Sequence, residues 1–185
     1  MFTKKNTPIP NLVVIKPQIH SDKRGIFFES WNKNEFINIG LNADFVQDNH
    51  SKSQKGVLRG IHFQTKHSQA KLVRVIKGCV FDVAIDLRKE SFTFGKHFGI
   101  ILSESNKKMF YIPEHFGHAY LALTNEVEFL YKTTDFYYPE HESGIVWNDP
   151  ELDIKWPFKE YNLQYPFLSA KDRALPLFKD IIGSL

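Results

Sequence analysis

The 185-residue chain is predicted to fold as an all-β sandwich or barrel with a few short helices. Three observations carry that prediction. Phenylalanine is used heavily, with 17 copies beside seven Tyr and three Trp, and aromatic and β-branched residues fit a pleated, half-buried surface. Short runs of such residues recur with turn residues roughly every eight to twelve positions. The clearest run, Cys79 to Leu87, alternates Val80, Asp82, Ala84 and Asp86 with Phe81, Val83, Ile85 and Leu87, which is the period of two that a strand imposes.

Taken in order, residues 1–10 are polar with two prolines and read as a loose arm on a single domain over 1–185. Leu12 to Lys16 is a short strand stopped by Pro17. The turn-rich His20–Gly25 leads into a strand from Ile26 to Trp31 that carries Glu29. Asn34 to Ile39 is a helical turn or two closed by Gly40. Phe45 to His50 is a strand ending in the polar cluster Gln47, Asp48, Asn49 and His50. Gly56 to Gln64 and Lys71 to Lys77 are further strands, the second joined to Cys79–Leu87 at Gly78. Lys96–Leu102 and Lys108–Ile112 follow. His118–Leu123 and Val127–Thr134 read as a hairpin across Thr124-Asn125-Glu126. The tail from Phe136 holds packed Trp and Pro turns, then one short helix within Ala174–Leu185.

Composition removes several function classes. A net charge of +3 suits a small anionic ligand. Nucleic acid would require a clustered basic stripe, and only pairs such as Lys4-Lys5 and Lys107-Lys108 occur. Cys79 is the sole cysteine, so no internal disulfide forms; a reducing, cytoplasmic setting follows. It lies in an apolar run without an adjacent base and reads as an inert buried thiol. No apolar stretch approaches the ~18 residues of a membrane span, and no signal-peptide core opens the chain.

The informative stretch is Gly56-Val-Leu-Arg-Gly-Ile-His-Phe-Gln64. Polar groups on a mostly buried strand cost free energy unless paired or used. Strict alternation sends Arg59 and His62 to opposite faces, and a bulge at Gly60 would re-aim one of them. His62 then either faces an enclosed cavity or is a core histidine held by a backbone carbonyl. Other polar residues sit inside strands: Lys71, Arg74, Asp82, Asp86, His118, Tyr131 and Lys132. The inward-facing members converge, because a jelly-roll has one interior. Tyr131 shares a face with Val127, Phe129 and Thr133, and Lys71 with Val73 and Val75. Tyr131 is alternatively a core aromatic with a satisfied hydroxyl, and Lys71 a snorkelling strand-end charge.

A metal is not expected. His62-Phe-Gln64 supplies one His of a His-x-His pair, and His115 and His118 lie in or beside a loop without a matching carboxylate. No nucleophile elbow occurs and Cys79 lacks a base. Proton transfer fits better, since it needs a base, an acid and a cation for a developing oxyanion. His62, Tyr131 and Lys71 provide one of each. Asp172 is a late-chain candidate to orient the imidazole, or else a helix N-cap.

The chain resembles the dTDP-4-dehydrorhamnose 3,5-epimerase family from about Asn11 to Pro176. The matching runs include Asp22–Glu29, Phe45–Asn49, Gly56–Gln64, Lys71–Val73, Phe81–Arg88, Ser91–Gly95, Ile112–His118, Tyr131–Thr134, Trp147–Asp149 and Leu168–Asp172. The resemblance implies a cupin jelly-roll without metal or other cofactor, usually a homodimer. It implies inversion of C3 and C5 in dTDP-4-keto-6-deoxyglucose. His62 matches the base, Asp172 its carboxylate partner, Tyr131 the acid on the opposite sugar face, and Lys71 the residue near the keto oxygen. Arg24, Glu29, Gln47, Asn49, Arg59, His118, Glu142 and Lys171 match ligand-binding positions, and Asp48 is grouped with them. Tyr137 matches an aromatic that stacks on thymine. The chain departs from the family's usual Glu-Gly-Phe-Ala-His at His115 and Gly117. Relatives with the same motifs invert C3 alone or act on differently tagged sugars. A non-catalytic nucleotide-sugar binding module is the reading from another class.

Overall fold

The computed structural model describes residues 1–185. A six-stranded sheet runs, in spatial order, β1 (Phe2–Asn6), β2 (Val13–Pro17), β10 (Met109–Ile112), β7 (Lys71–Lys77), β12 (Val127–Thr133) and β5 (Gln47–Ser53). A five-stranded sheet runs β13 (Glu142–Gly144), β6 (Leu58–Gln64), β11 (Phe116–Ala122), β8 (Cys79–Asp86) and β9 (His97–Ser103). Neighbouring strands in both sheets are antiparallel. β3 (His20–Asp22) and β4 (Gly25–Phe27) form a separate two-stranded ribbon. The helices are short: α1 (Lys33–Asn38), α2 (Ala170–Arg173) and α3 (Phe178–Ile181). This is the all-β cupin-type jelly-roll expected.

The core lies between the sheets. Val14, Val73, Val75, Phe110, Val127 and Phe129 from the first sheet meet Val80, Ala84, Leu102, Phe116, Tyr120 and Ala122 from the second. The outer face of the five-stranded sheet buries Ile61, Phe63, Val83, Ile85 and Ala119 under Ile145, Leu152, Phe178 and Ile181 of the C-terminal segment. The outer face of the six-stranded sheet packs Val13, Ile15, Leu72 and Met109 against Phe36 of α1 and Leu41. Both faces of each central strand are therefore covered, and polar groups inside a strand stand out.

Four expectations are corrected. Residues 1–10 are not a loose arm: Phe2–Asn6 pairs along its length with Val13–Pro17, and its polar side chains face solvent while Phe2 is buried. The strand expected over Ile26–Trp31 ends at Phe27, leaving Glu29 outside it. No hairpin joins β11 to β12, because β11 has both edges occupied by β6 and β8. The chain instead crosses to the other sheet, as it also does between β7 and β8 at Gly78. α2 forms where no helix was expected, opened by Ser169, whose hydroxyl accepts from the Asp172 N–H at 3.0 Å.

Candidate active site

The two sheets part around a cavity of about 420 Å³. The six-stranded sheet contributes Gln47, Asn49, Ser51, Lys71 and Tyr131; the five-stranded sheet contributes Arg59, His62 and His118. Tyr137, Glu142, Lys171 and Asp172 close it from the segments after β12 and Phe167. His62 and Tyr131 thus look into one space from opposite walls. A wider cleft of about 990 Å³ lies elsewhere, along Lys4, Asn6, Gly40 and Arg88, and contains none of these groups.

β6 owes its inward pair to the expected bulge. His62 pairs with His118 and Arg59 with Tyr120, so three steps on β6 oppose two on β11. The extra residue lets Arg59 and His62 share the cavity face that alternation would deny them. Gly60 is required there: its φ is +112°, and a β-carbon would lie 2.5 Å from the His118 carbonyl oxygen.

The His62 Nε2 lies 2.5 Å from Asp172 Oδ1. Asp172 is only 4% exposed and sits one turn inside α2, so it is not the N-cap; Ser169 is. Burial pushes the Asp172 carboxyl up, but the bond and charge of His62, with Ser169 and Lys171, outweigh it and hold it below the usual range. An ionised partner keeps the proton on Nε2 and leaves Nδ1 to accept one. The alternative of a core histidine held by a backbone carbonyl is set aside.

Lys71 is 9% exposed. Burial lowers its ammonium to about 8, against the opposing through-space attraction of Asp82 and Glu142. Burial raises the Tyr131 phenol, while Arg59 acts the other way, so the hydroxyl stays protonated at neutral pH. His118 Nε2 lies 3.1 and 3.0 Å from the two oxygens of the buried Asp82. Asn49 Oδ1 accepts from Gln47 Nε2 at 2.9 Å, and Asn49 Nδ2 is buried without a protein acceptor. At the rim, Glu142 accepts from the Tyr137 hydroxyl and the Lys171 ammonium. These bonds hold Glu142 below its usual range although burial alone would raise it, and they push the Tyr137 phenol up to about 12.

Three residues expected at the site are not brought to it. Arg24 is exposed in the β3–β4 turn and paired to Asp22 at 2.6 Å. Glu29 accepts from Asn32 at 3.0 Å, outside the cavity. Asp48 alternates away from Gln47 and Asn49 and bonds Lys132 on the outer face at 2.9 Å. Asp86 is fully buried and bound by Arg88, Ser91 and Thr93, which overcome its burial and lower it to about 2; it holds the 88–93 loop. Sequence reasoning missed Ser51, Ser53 and Tyr120, whose hydroxyls bond at 2.9 and 3.1 Å beside Arg59. The alternation Gln47, Asn49, Ser51, Ser53 carried that signal. No group of three His, Cys, Asp or Glu side chains is arranged to hold a metal ion.

The family model described as dTDP-4-dehydrorhamnose 3,5-epimerase matches residues 6–180. The dTDP-4-dehydrorhamnose 3,5-epimerase of Salmonella typhimurium is 51% identical over 173 residues, covering 92% of each chain. A crystal structure of the dTDP-6-deoxy-D-glucose-3,5-epimerase of Legionella pneumophila, in complex with dTDP-4-keto-L-rhamnose, superposes with a TM-score of 0.91 at 46% identity, covering 97% of this chain and 94% of that one. A 3'-monoepimerase from Streptomyces bikiniensis in complex with dTDP-quinovose has a TM-score of 0.88 at 30% identity, covering 97% and 90%. With nearly its whole length matched in sequence and in fold, the chain belongs to the dTDP-4-dehydrorhamnose 3,5-epimerase family.

Proposed function

We propose that this chain inverts C3 and C5 of dTDP-4-dehydro-6-deoxy-D-glucose, giving dTDP-4-dehydro-L-rhamnose. The observation that carries the reading is the placement of His62 and Tyr131 on opposite walls of one cavity. The C4 ketone makes the protons at C3 and C5 acidic, because the carbanion delocalises as an enolate. His62 removes the proton through Nδ1, and Asp172 stabilises the imidazolium that results. Lys71, itself buried in the cavity wall, offers an ammonium to the enolate oxygen. Tyr131 returns a proton to the other face, so configuration inverts. Exchange with solvent then restores both groups.

The substrate is anchored by groups apart from the reacting ring. Arg59 suits the diphosphate through its fork of N–H donors. Asn49, His118, Glu142 and Lys171 supply polar contacts, and Tyr137 at the rim presents an aromatic face to the thymine. Double inversion is preferred over inversion of C3 alone because identity is 51% to the Salmonella 3,5-epimerase and 30% to the Streptomyces monoepimerase. The active form is a homodimer in which Arg24 and Glu29 of one copy approach the cavity of the other. The lone cysteine fits a reducing, cytoplasmic setting.

Incubation with the substrate in D2O, followed by NMR at each sugar carbon, tests the assignment. Wild-type protein exchanges at C3 and C5 and forms the L-rhamno product. His62→Ala loses both exchanges. Tyr131→Phe keeps exchange on the His62 side and loses inversion. Undiminished exchange in His62→Ala would refute the role of that base, and exchange confined to C3 in the wild type would make the chain a monoepimerase.

A further inference from the structure

Residues 134–138 carry Tyr137 to the cavity rim, yet they belong to no strand or helix. Their backbone polar groups must find partners elsewhere. Gln64, on β6, is 7% exposed, and its amide is fully engaged by that backbone and its neighbour loop. Nε2 donates to the carbonyls of His67 at 2.6 Å and Phe136 at 3.2 Å, and Oε1 accepts from the Tyr138 N–H at 2.6 Å. Two of the three atoms it holds flank Tyr137 directly in sequence.

We propose that Gln64 is a positioning residue for nucleotide binding: its amide clamps the backbone on both sides of Tyr137 and so fixes that ring relative to His62, two residues away on the same strand. The inference rests on the nucleotide-sugar reading above.

The chemistry of the amide is specific. It offers two N–H donors and one carbonyl acceptor, and here each has a partner. Glutamate has the same size but would point an oxygen at two carbonyls. Methionine keeps the length and loses all three bonds. Supporting contacts act on adjoining atoms. Gln47 Oε1 accepts from the Tyr137 N–H at 3.1 Å, and Gln69 Nε2 donates to the Asp135 carbonyl at 2.9 Å. The His67 ring stacks on Tyr138 with centroids 4.3 Å apart, so the bond to the His67 carbonyl also seats the second loop. β13 continues the attachment, with Glu142 opposite Gln64 and Gly144 opposite His62. One strand therefore carries the base and grips the segment that receives the nucleobase.

The test uses the full chain with dTDP as the binding probe, beside steady-state kinetics. Gln64→Glu and Gln64→Met should weaken dTDP affinity and raise KM together by about tenfold. kcat should change by less than about threefold, the pattern of lost uniform binding. In a Tyr137→Ala background, Gln64→Glu should cost less than about twofold further, since both changes remove one interaction. Hydrogen exchange at the Tyr138 amide should quicken in both Gln64 variants. Loss of kcat with dTDP affinity intact overturns the proposal, and so does a penalty equal with and without Tyr137. Circular dichroism reports folding; should neither variant fold, Gln64 is a folding determinant and the proposal is lost. Failure of wild-type protein to bind dTDP would remove the nucleotide reading alone. Exchange at Tyr138 would then still decide whether Gln64 holds the segment.

Discussion

Lys71 sits in the cavity wall with its ammonium lowered to about 8 by burial, even though Asp82 and Glu142 attract it. Two consequences follow from that one number. The ammonium is present below pH 8 and is lost as pH rises through it. The alkaline limb of kcat/KM should therefore fall near pH 8, and Lys71→Met should abolish most activity at every pH, by about a hundredfold or more. For stability the sign is opposite. The folded value lies below the unfolded one, so the unfolded chain binds more protons between about pH 8 and 10.5, and this group's contribution improves as pH rises across that window. At pH 7 keeping the ammonium charged in the folded chain costs about 3 kcal/mol, burial net of the attraction of Asp82 and Glu142. Lys71→Met should therefore raise the thermal midpoint, because that net cost already includes the attraction of Asp82 and Glu142. A less stable, fully active Lys71→Met protein would contradict both halves. The inward direction of Lys71 and Tyr131 was legible from their apolar face-mates. The partnership of Asp172 with His62 was not legible from local pattern: the two are separated by 110 positions, and only tertiary packing brings them together.

At the scale of elements, α2 is four residues long, far too short to be stable alone, and its whole role is to deliver Asp172 and Lys171 to the cavity. Ser169 holds its first turn by accepting from the Asp172 N–H itself. The cap and the base's partner are thus one piece of backbone. Ser169→Ala should lower stability by about 1 kcal/mol. It should also reduce kcat by several-fold as the His62–Asp172 bond loosens, and Ser169→Thr, which keeps the hydroxyl, should restore both. Urea unfolding and single-turnover rates measure the two effects. An unchanged kcat beside the stability loss would confine Ser169 to capping. The bulge on β6 is the counterpart in the sheet. It was readable because a glycine stood between two polar residues whose spacing conflicted with alternation. The hairpin expected between β11 and β12 failed because Thr124-Asn125-Glu126 carries turn signals for either a hairpin or a crossover. Which occurs depends on whether an edge of β11 is free, and both are taken.

Across the whole molecule, the period of two marked the long central strands but not the short β1, β3 and β13, and the assignment of strands to two sheets depended on long-range pairing that no window of sequence contains. The same limit explains Arg24 and Glu29. Their runs match ligand-binding positions, yet within one copy both lie outside the cavity. Arg24 belongs to the ribbon β3–β4, which pairs with no other strand. All six residues of its two strands are exposed, with Ile26 at 51% and Phe27 at 69%. A two-stranded ribbon is marginal in water without a surface to pack on. In the homodimer proposed above a second copy would supply that surface by symmetry, an isologous pair presenting each ribbon to its partner. Sedimentation should give twice the 21.6 kDa chain mass, and Phe27→Asp should shift it toward the monomer with weaker substrate binding. Mixed variants separate the geometries. Arg24→Ala and His62→Ala homodimers should each be nearly inactive. If Arg24 serves the partner's cavity, subunit exchange between them creates one intact site in every mixed dimer, and activity recovers to about a quarter of wild type. If Arg24 serves its own cavity, every site in the mixture lacks either the guanidinium or the imidazole. No activity then returns, and the cross-subunit role of the ribbon is excluded.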